Sequence, residues 1–314
     1  MKAIIREVEL NLIKQELTSD RLLRKTNKGG NEIYVVNAHN APNVMREIGR
    51  LREIAFRTAG GGTGKDCDID EYDTMEEPCQ QLVVWNPEGN EIIGGYRFIL
   101  GEKVRLNADG VPHIATSHMF RFSKQFIEDY LPSTLELGRS FVRLEYQSSK
   151  AGAKAIYALD NLWDGIGALT VVYPQIKSLF GKVTMYPNYS HLCRDMILYF
   201  MNHYFPDRDH LVTPIVPVKL THDIDFLRSK FVNNDFAEDY RRLNKLVREE
   251  GLNVPPLVHA YMSLSPTMKM FGTAINDEFG NVEESGIMIL VSEITAEKIG
   301  RHVNTFNKDC SFKK

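Results

Sequence analysis

Glu136 and Arg139 stand three residues apart in Leu135-Glu136-Leu137-Gly138-Arg139-Ser140-Phe141-Val142, a run whose alternating apolar residues read as a β-strand. A carboxylate and a guanidinium are residue types that accept protons and grip anions at reaction centres. Taken alone, an E-x-x-R pair on a strand is most often a surface ion pair. An ideal strand sends residues three apart to opposite faces, so both can serve one substrate only if the strand bulges, and Gly138 is where a bulge would fall. A second concentration is Asp68-Ile69-Asp70-Glu71-Tyr72-Asp73, inside a Gly-rich and then acidic stretch from 60 to 78 without apolar periodicity. It reads as a long loop that is either solvated, a loose divalent-cation site or part of a substrate site; it lacks EF-hand spacing. A third candidate is Gln147-Ser148-Ser149-Lys150-Ala151-Gly152-Ala153-Lys154, set between a strand and a helix, where unpaired backbone N–H groups attract anions.

Other constellations reduce to simpler readings. His191 and Asp195 sit four apart on one helical face, an ordinary helix pair. Gly60-Gly61-Gly62-Thr63-Gly64-Lys65 lacks the spacing and the preceding strand of a phosphate loop. Cys67, Cys79, Cys193 and Cys310 form no CxxC pair, which argues against a zinc site and a disulfide framework, so no metal is expected. No Ser or Cys is matched convincingly to a His and GxSxG is absent, so no covalent enzyme intermediate is expected.

The elements that must position these residues follow from periodicity. The chain of 314 residues is 43% apolar and 25% charged with a net charge of -3, ordinary for a globular α/β protein and without sign of nucleic-acid binding. The charged N-terminus is unlike a signal peptide and no run reaches the length of a spanning helix, so a cytoplasmic protein with reduced thiols is expected. Residues 4–26 have the spacing of an amphipathic helix, making 1–30 an N-terminal helical segment ahead of a main domain, 31–314. A strand, a helix over 41–59, the long loop, a hairpin, a helix over 118–131, the Glu136 strand, a helix over 155–173, a strand, and a helix capped by Ser190 follow. Residues 222–250 read as a charged helical insertion, and the segments after 254 close the fold.

This order resembles a GNAT fold, α/β (α+β), with a mixed central sheet flanked by helices. In that fold the pantetheine arm of an acyl thioester lies along a splayed strand with its phosphate end at a helix N-terminus. The segment at 147–154 departs from the Q/R-x-x-G-x-G/A pattern of acetyl-coenzyme A users, since Lys150 takes the first glycine position. Taken together, DIDEYD, GGYRFIL, LELGRSFV, LDNLWDGIGALTVVYPQIKSLFGKVTMYPNY, PPLVHAYMSLSPTMKMFG and NDEFG resemble the acyl-carrier-protein-dependent N-acyltransferases of ornithine-lipid and glycine-lipid synthesis, a group also labelled hemolysin-like. The first three segments are similar to acyl-homoserine-lactone synthases as well.

The resemblance implies a site lined by Arg52 and Phe56, Asp70 and Asp73, Arg97, and Glu136 with Arg139. Glu136 would act as general base, directly or through water, and strand N–H groups near Phe141 and Val142 would hold the thioester oxygen or pantetheine. Arg97 and Arg139 would bind an amino-acid carboxylate, while Asp70 and Asp73 hold its ammonium or organise the loop as a lid. Lys150 and Gly152 would contact pantetheine. Trp163, Gly165 and Gly167 either pack a helix on the sheet or let an acyl chain approach. The implied reaction transfers a long-chain, 3-hydroxylated acyl group from acyl carrier protein to the α-amine of glycine or ornithine. No bound cofactor is needed, acyl-phosphopantetheine on carrier protein or coenzyme A being the donor, and peripheral contact with the inner membrane surface is a further expectation. Open alternatives are a coenzyme A-dependent acetyltransferase or lactone-type synthase and, from another class, a membrane-lytic hemolysin or a non-catalytic acyl-binding module.

Overall fold

The computed structural model describes residues 1–147, 153–306 and 312, with backbone alone for 153–156. The N-terminal segment differs from the helix expected over 4–26. Only α1 (Leu10–Glu16) is helical, with Ile13 its one buried residue, and the chain then turns into strand β1 (Leu22–Lys25), where Leu23 is fully buried. Ahead of α1 the backbone is tied to the Gly-rich loop, Lys2 N–H donating to Gly64 and Ile5 N–H to Asp66. Backbone pairing with distant segments satisfies these N–H groups and overrides a helical spacing of apolar residues.

Strand β2 (Glu32–Val36) leads to α2 (Pro42–Ala59), which starts with proline at its first turn and ends at Gly60 in a left-handed conformation, φ 99°. The first-turn N–H groups of α2 are capped from outside, since the Glu16 carboxylate accepts from Asn43 N at 3.1 Å and Val44 N at 2.8 Å. The long loop holds a single short turn of helix, α3 (Glu71–Thr74). Strands β3 (Gln80–Asn86) and β4 (Glu91–Leu100) form the hairpin. Residues 118–131, expected as a helix, instead contain strand β5 (Phe120–Phe122) followed by a π-type turn at Phe126–Tyr130. The alternation that buries Phe120 and exposes Arg121 suits a strand, and a partner far along the chain supplies its ladder.

Strand β6 (Thr134–Val142), helix α4 (Ala153–Val172), strand β7 (Ser178–Met185) and helix α5 (His191–Tyr204) follow, the last capped by the Ser190 hydroxyl accepting from Cys193 N. Strand β8 (Val212–Pro214) pairs with β5. Helices α6 (Ile224–Arg228) and α7 (Phe236–Glu249) occupy the charged stretch, where Leu243 and Val247 of α7 are fully buried beside α5. Helix α8 (Pro256–Met262) and strands β9 (Lys269–Asn276) and β10 (Val282–Leu290) complete the fold.

The main sheet has eight strands in the order β1-β2-β3-β4-β6-β7-β10-β9. Every neighbouring pair is antiparallel except β6 with β7, which are parallel over Thr134–Glu136 and Ser178–Phe180 alone. One face packs Leu82, Phe98, Leu135 and Leu179 against α4 and α5; the other packs Val83, Trp85 and Phe141 against Val44, Ile48 and Leu51 of α2. It is the mixed sheet with helices on both faces that the order of elements implies.

Glycines permit the close approach of α4. A Cβ on Gly165 would collide with the Leu82 side chain, and one on Gly167 with the His302 carbonyl oxygen. Gly165 is thus in packing contact with β3, and Trp163 lies edge-on to Tyr261 at 5.3 Å. Gly167→Ala should destabilise the protein by about 1–3 kcal/mol through overpacking against backbone, despite a gain in helix propensity of roughly 1 kcal/mol. A lower urea midpoint at unchanged slope is the expected result.

Candidate active site

The bulge that the Glu136–Arg139 spacing requires is present. Gly95 pairs with Phe141 and Arg97 with Gly138, so three steps along β6 oppose two along β4. The residue in the left-handed region is Arg139 itself, φ 48°, rather than Gly138. An arginine there is strained, and the surrounding contacts hold it. The extra residue turns Arg139 to the face that carries Glu136 and Arg97.

Those contacts come from the acidic loop. Arg139 Nε lies 3.0 Å from Asp68 Oδ2, and its Nη2 donates to Asp70 at 3.5 Å. Arg97 Nη1 donates to both Asp70 oxygens, at 2.6 and 2.7 Å, and lies 3.4 Å from Asp73. Arg52 of α2 is 3.4 Å from Asp73 and donates to Gln81, whose amide returns a hydrogen bond to Asp73 at 2.9 Å. Arg52, Asp68 and Asp73 have no exposed surface. Asp70 and Asp73 also form a reciprocal capping box around α3. Taking each ion out of water costs several kcal/mol, and alternating the signs is what makes burial tolerable. The aromatic rings of Phe279, 4.4 Å from Arg139, and Tyr72, 5.6 Å from Arg97, close the layer.

Burial shifts the titrating groups in opposite directions. It pushes the carboxyls of Asp68 and Glu136 up and the Lys182 ammonium down. Burial would also raise Asp70, but the charge and hydrogen bonds of Arg97 override it and hold this carboxyl well below its ordinary value. Glu136 accepts from the Thr116 hydroxyl at 3.2 Å and lies within the field of Arg97 and Lys182.

Two cavities meet at this layer. A polar cleft of about 670 Å³ is lined by Asp70, Tyr72, His118, Arg139, Lys182 and Asn276, among others. A narrower cavity of about 210 Å³ lies where β6 and β7 part, with Phe56, Tyr96, Ser140, Tyr186, Leu257 and Glu284 on its wall. Arg139, Lys182 and Phe279 line both. Beyond Glu136 the β7-facing edge of β6 has no strand partner among the described residues, so its outward backbone groups border the opening. An extended chain can pair with such an edge, which is what a pantetheine arm requires.

The residues singled out from sequence therefore separate. Arg97, Arg139 and Asp70 are brought together, with Arg139 and Asp70 on the cleft wall; Arg52 and Asp73 lie behind them and fasten the loop, out of contact with the cleft in this arrangement. Phe56 lines the narrow cavity, edge-on to Phe279 at 5.0 Å. Phe141 is buried against α2, and Val142 accepts at its carbonyl from Gln147. Lys150 and Gly152 lie outside the described residues. Sequence reasoning missed Lys182, Glu284 and Phe279. Lys182 carries a recognisable signal, a lone charge inside an apolar strand, in Ser178-Leu179-Phe180-Gly181-Lys182-Val183.

An acetyltransferase (GNAT) domain model matches residues 51–156, from the second half of α2 through the acidic loop and β6. A glycine N(alpha)-acyltransferase of Bacteroides thetaiotaomicron is 62% identical over 98% of this chain and 91% of that protein. One of Phocaeicola vulgatus is 59% identical over 98% and 94%. Solved structures are more distant. FeeM, an N-acyl amino acid synthase from uncultured soil microbes, aligns over 84% of this chain and 93% of its own at 10% identity and TM-score 0.38. The acyl-homoserine lactone synthase BjaI aligns over 86% and 87% at 12% identity and TM-score 0.37, and likenesses this loose do not bear on the site.

A splayed strand pair beside a charged cleft, in a chain matching this domain, defines a GNAT-fold N-acyltransferase. The chain belongs to the glycine N(alpha)-acyltransferase family, and its activity is N-acylation of an amino acid. No helix among the described residues is long and apolar enough to cross a membrane.

The Asp70–Arg97 pair should govern acid stability. A carboxyl whose folded value lies below its unfolded value of 3.8 adds stability that is complete above that value and lost as pH falls through the folded one. Asp70→Asn should cost about 3–5 kcal/mol near neutral pH. Urea titrations from about pH 5 to about pH 2 should show a shallower loss for the variant than for wild type; equal slopes would remove Asp70 from the balance.

Proposed function

We propose that the protein transfers a long-chain, 3-hydroxylated acyl group from the phosphopantetheine of acyl carrier protein to the α-amine of glycine. The observation that carries the chemistry is the meeting of the strand-edge opening with the polar cleft at Arg139 and Lys182. Glycine as acceptor, in preference to ornithine, is supported by what the relatives named above act on. Carrier protein as donor, in preference to coenzyme A, is supported by Lys150 standing where coenzyme A users place glycine. The product is an amphiphile, so the proposal includes cytoplasmic synthesis with contact at the inner membrane surface; α1 exposes only Leu10 and Leu12 of its apolar residues, a small anchor.

The arm runs along the free edge of β6, and strand N–H groups there receive the thioester oxygen as it becomes an oxyanion. Arg139 faces the acceptor carboxylate. Attack needs a neutral amine, so the ammonium proton must leave. Glu136 takes it through a water, because its carboxyl is buried beside Thr116 rather than on the cleft wall. The amine forms the C–N bond, the C–S bond breaks, and the departing thiolate is protonated.

The test is purified protein with glycine and either acyl carrier protein or coenzyme A thioesters, read by mass spectrometry of the product. Glu136→Gln should lower kcat by about 10²–10⁴-fold. A base must be ionised to act, and burial raises Glu136 above 4.5, so wild-type activity should fall as pH drops through that raised value. The variant should lose this acid limb. Full activity in Glu136→Gln would overturn its role, and no N-acylglycine from any donor would overturn the reaction.

A further inference from the structure

The wall of the narrow cavity opposite Arg139 carries a buried ion pair that the mechanism above leaves unused. Lys182 of β7 and Glu284 of β10 lie diagonally across the β7–β10 ladder, in which Thr184 faces Glu284 and Lys182 faces Gly286. Lys182 Nζ is 3.2 Å from Glu284 Oε1, and Asn276 Nδ2 donates to the same oxygen at 3.2 Å. The other oxygen, Oε2, is buried without a hydrogen-bond partner, and Glu284 is only 2% exposed. Native interiors rarely tolerate a carboxylate oxygen in that state unless something else completes it.

The surroundings say what that something is. Glu284 lines the cavity between the parted strands, whereas Lys182 and Arg139 line both that cavity and the polar cleft. The charged and titratable groups facing this part of the site are Lys182 on β7 and Tyr186 just beyond it, Arg139 and Glu136 on β6, and, lining the adjoining cleft, His118 and Glu278. A carboxylate with one oxygen paired and the other unbonded therefore sits beside two cations that line the neighbouring space. An α-amino acid carries its ammonium and carboxylate one carbon apart, the complementary arrangement. A thioester arm offers no cation to Glu284, and a free fatty acid would be repelled by it.

We propose that Lys182 and Glu284 form the seat of the acceptor zwitterion: Glu284 accepts an N–H of the α-ammonium through Oε2, and Lys182, with Arg139, faces the carboxylate. The seat holds the amine at the end of the β6–β7 opening, where the thioester carbonyl arrives, and Glu136 remains the proton acceptor. Asn276 is a positioning residue that keeps Glu284 Oε1 occupied and Oε2 free. This inference rests on the reading that an amino acid is the acceptor.

Steady-state kinetics on the full-length protein test it. Glu284→Gln should raise KM for glycine at least tenfold while KM for the acyl donor stays within twofold. Lys182→Met should cut the preference for glycine over glycinamide, which lacks the carboxylate, at least tenfold, Arg139 supplying what remains, whereas Glu284→Gln should keep that preference. Thermal unfolding checks that each variant is folded. Should either single change unfold the protein, the uncharged double variant Lys182→Met with Glu284→Gln replaces it, with both losses expected together. A glycine KM within twofold of wild type in a folded Glu284→Gln variant, or discrimination within twofold of wild type in a folded Lys182→Met variant, overturns the seat. If wild type prefers another amino acid, the glycine reading alone falls and that acid and its amide become the probes. If wild type acylates no amino acid, both fall.

Discussion

Every feature of the site depends on one arrangement, the interleaving of Arg52, Arg97 and Arg139 with Asp68, Asp70 and Asp73 under the long loop. Removing a single member of a buried ionic network of this kind typically costs about 3–5 kcal/mol, because its former partner stays behind without compensation. The network therefore acts as a latch more than as a source of stability. It fixes a loop that has little apolar periodicity of its own to the charged face of the sheet. It also fastens the guanidinium of Arg139, whose backbone stands at φ 48° within the β4–β6 bulge.

That strained residue connects two levels of structure. The bulge re-aims one side chain, and the same stretch of β6 is where pairing with β7 has stopped. A parallel pair that holds for three residues and then opens leaves a strand edge bare beside a cavity. Such an edge is a liability unless it is covered or used. Here it borders the place where the cations of Arg139 and Lys182 converge, so the opening and the charged cleft form one continuous site.

The two faces of the sheet divide the labour. The face toward α4 and α5 is mainly apolar, tight enough for Gly165 and Gly167 to be required by contact, with Arg194 of α5 ion-paired to Glu283 of β10 at its margin, and it sets the strand positions. The opposite face is apolar under α2 and again around Phe180 and Met288; elsewhere it carries Arg97, Glu136, Lys182 and Glu284. Alternation along each strand makes this division possible, since residues two apart share a face. The N-terminal segment serves the same end from outside, with Glu16 capping α2, the helix that delivers Arg52 and Phe56.

By itself the sequence determined the class of fold, the order of most elements and the neighbourhood of the site. Periodicities of two and 3.6 report which residues must be buried, and the Gly-rich break before Asp68 reports a loop. It also posed the problem at Gly138 correctly, because a strand with residues three apart on one face has to bulge. The tertiary structure alone decided that the bulge strains Arg139, that Arg52 and Asp73 sit behind the cleft, and that Lys182 and Glu284 complete its wall. It likewise turned residues 22–25 and 120–122 into strands where spacing suggested helices. The physical reason is common to all of these. Each depends on a partner outside its own segment, β2 for β1 and, far along the chain, β8 for β5, the acidic loop for Arg139 and β10 for Lys182, and local spacing carries no record of which backbone or charge will arrive.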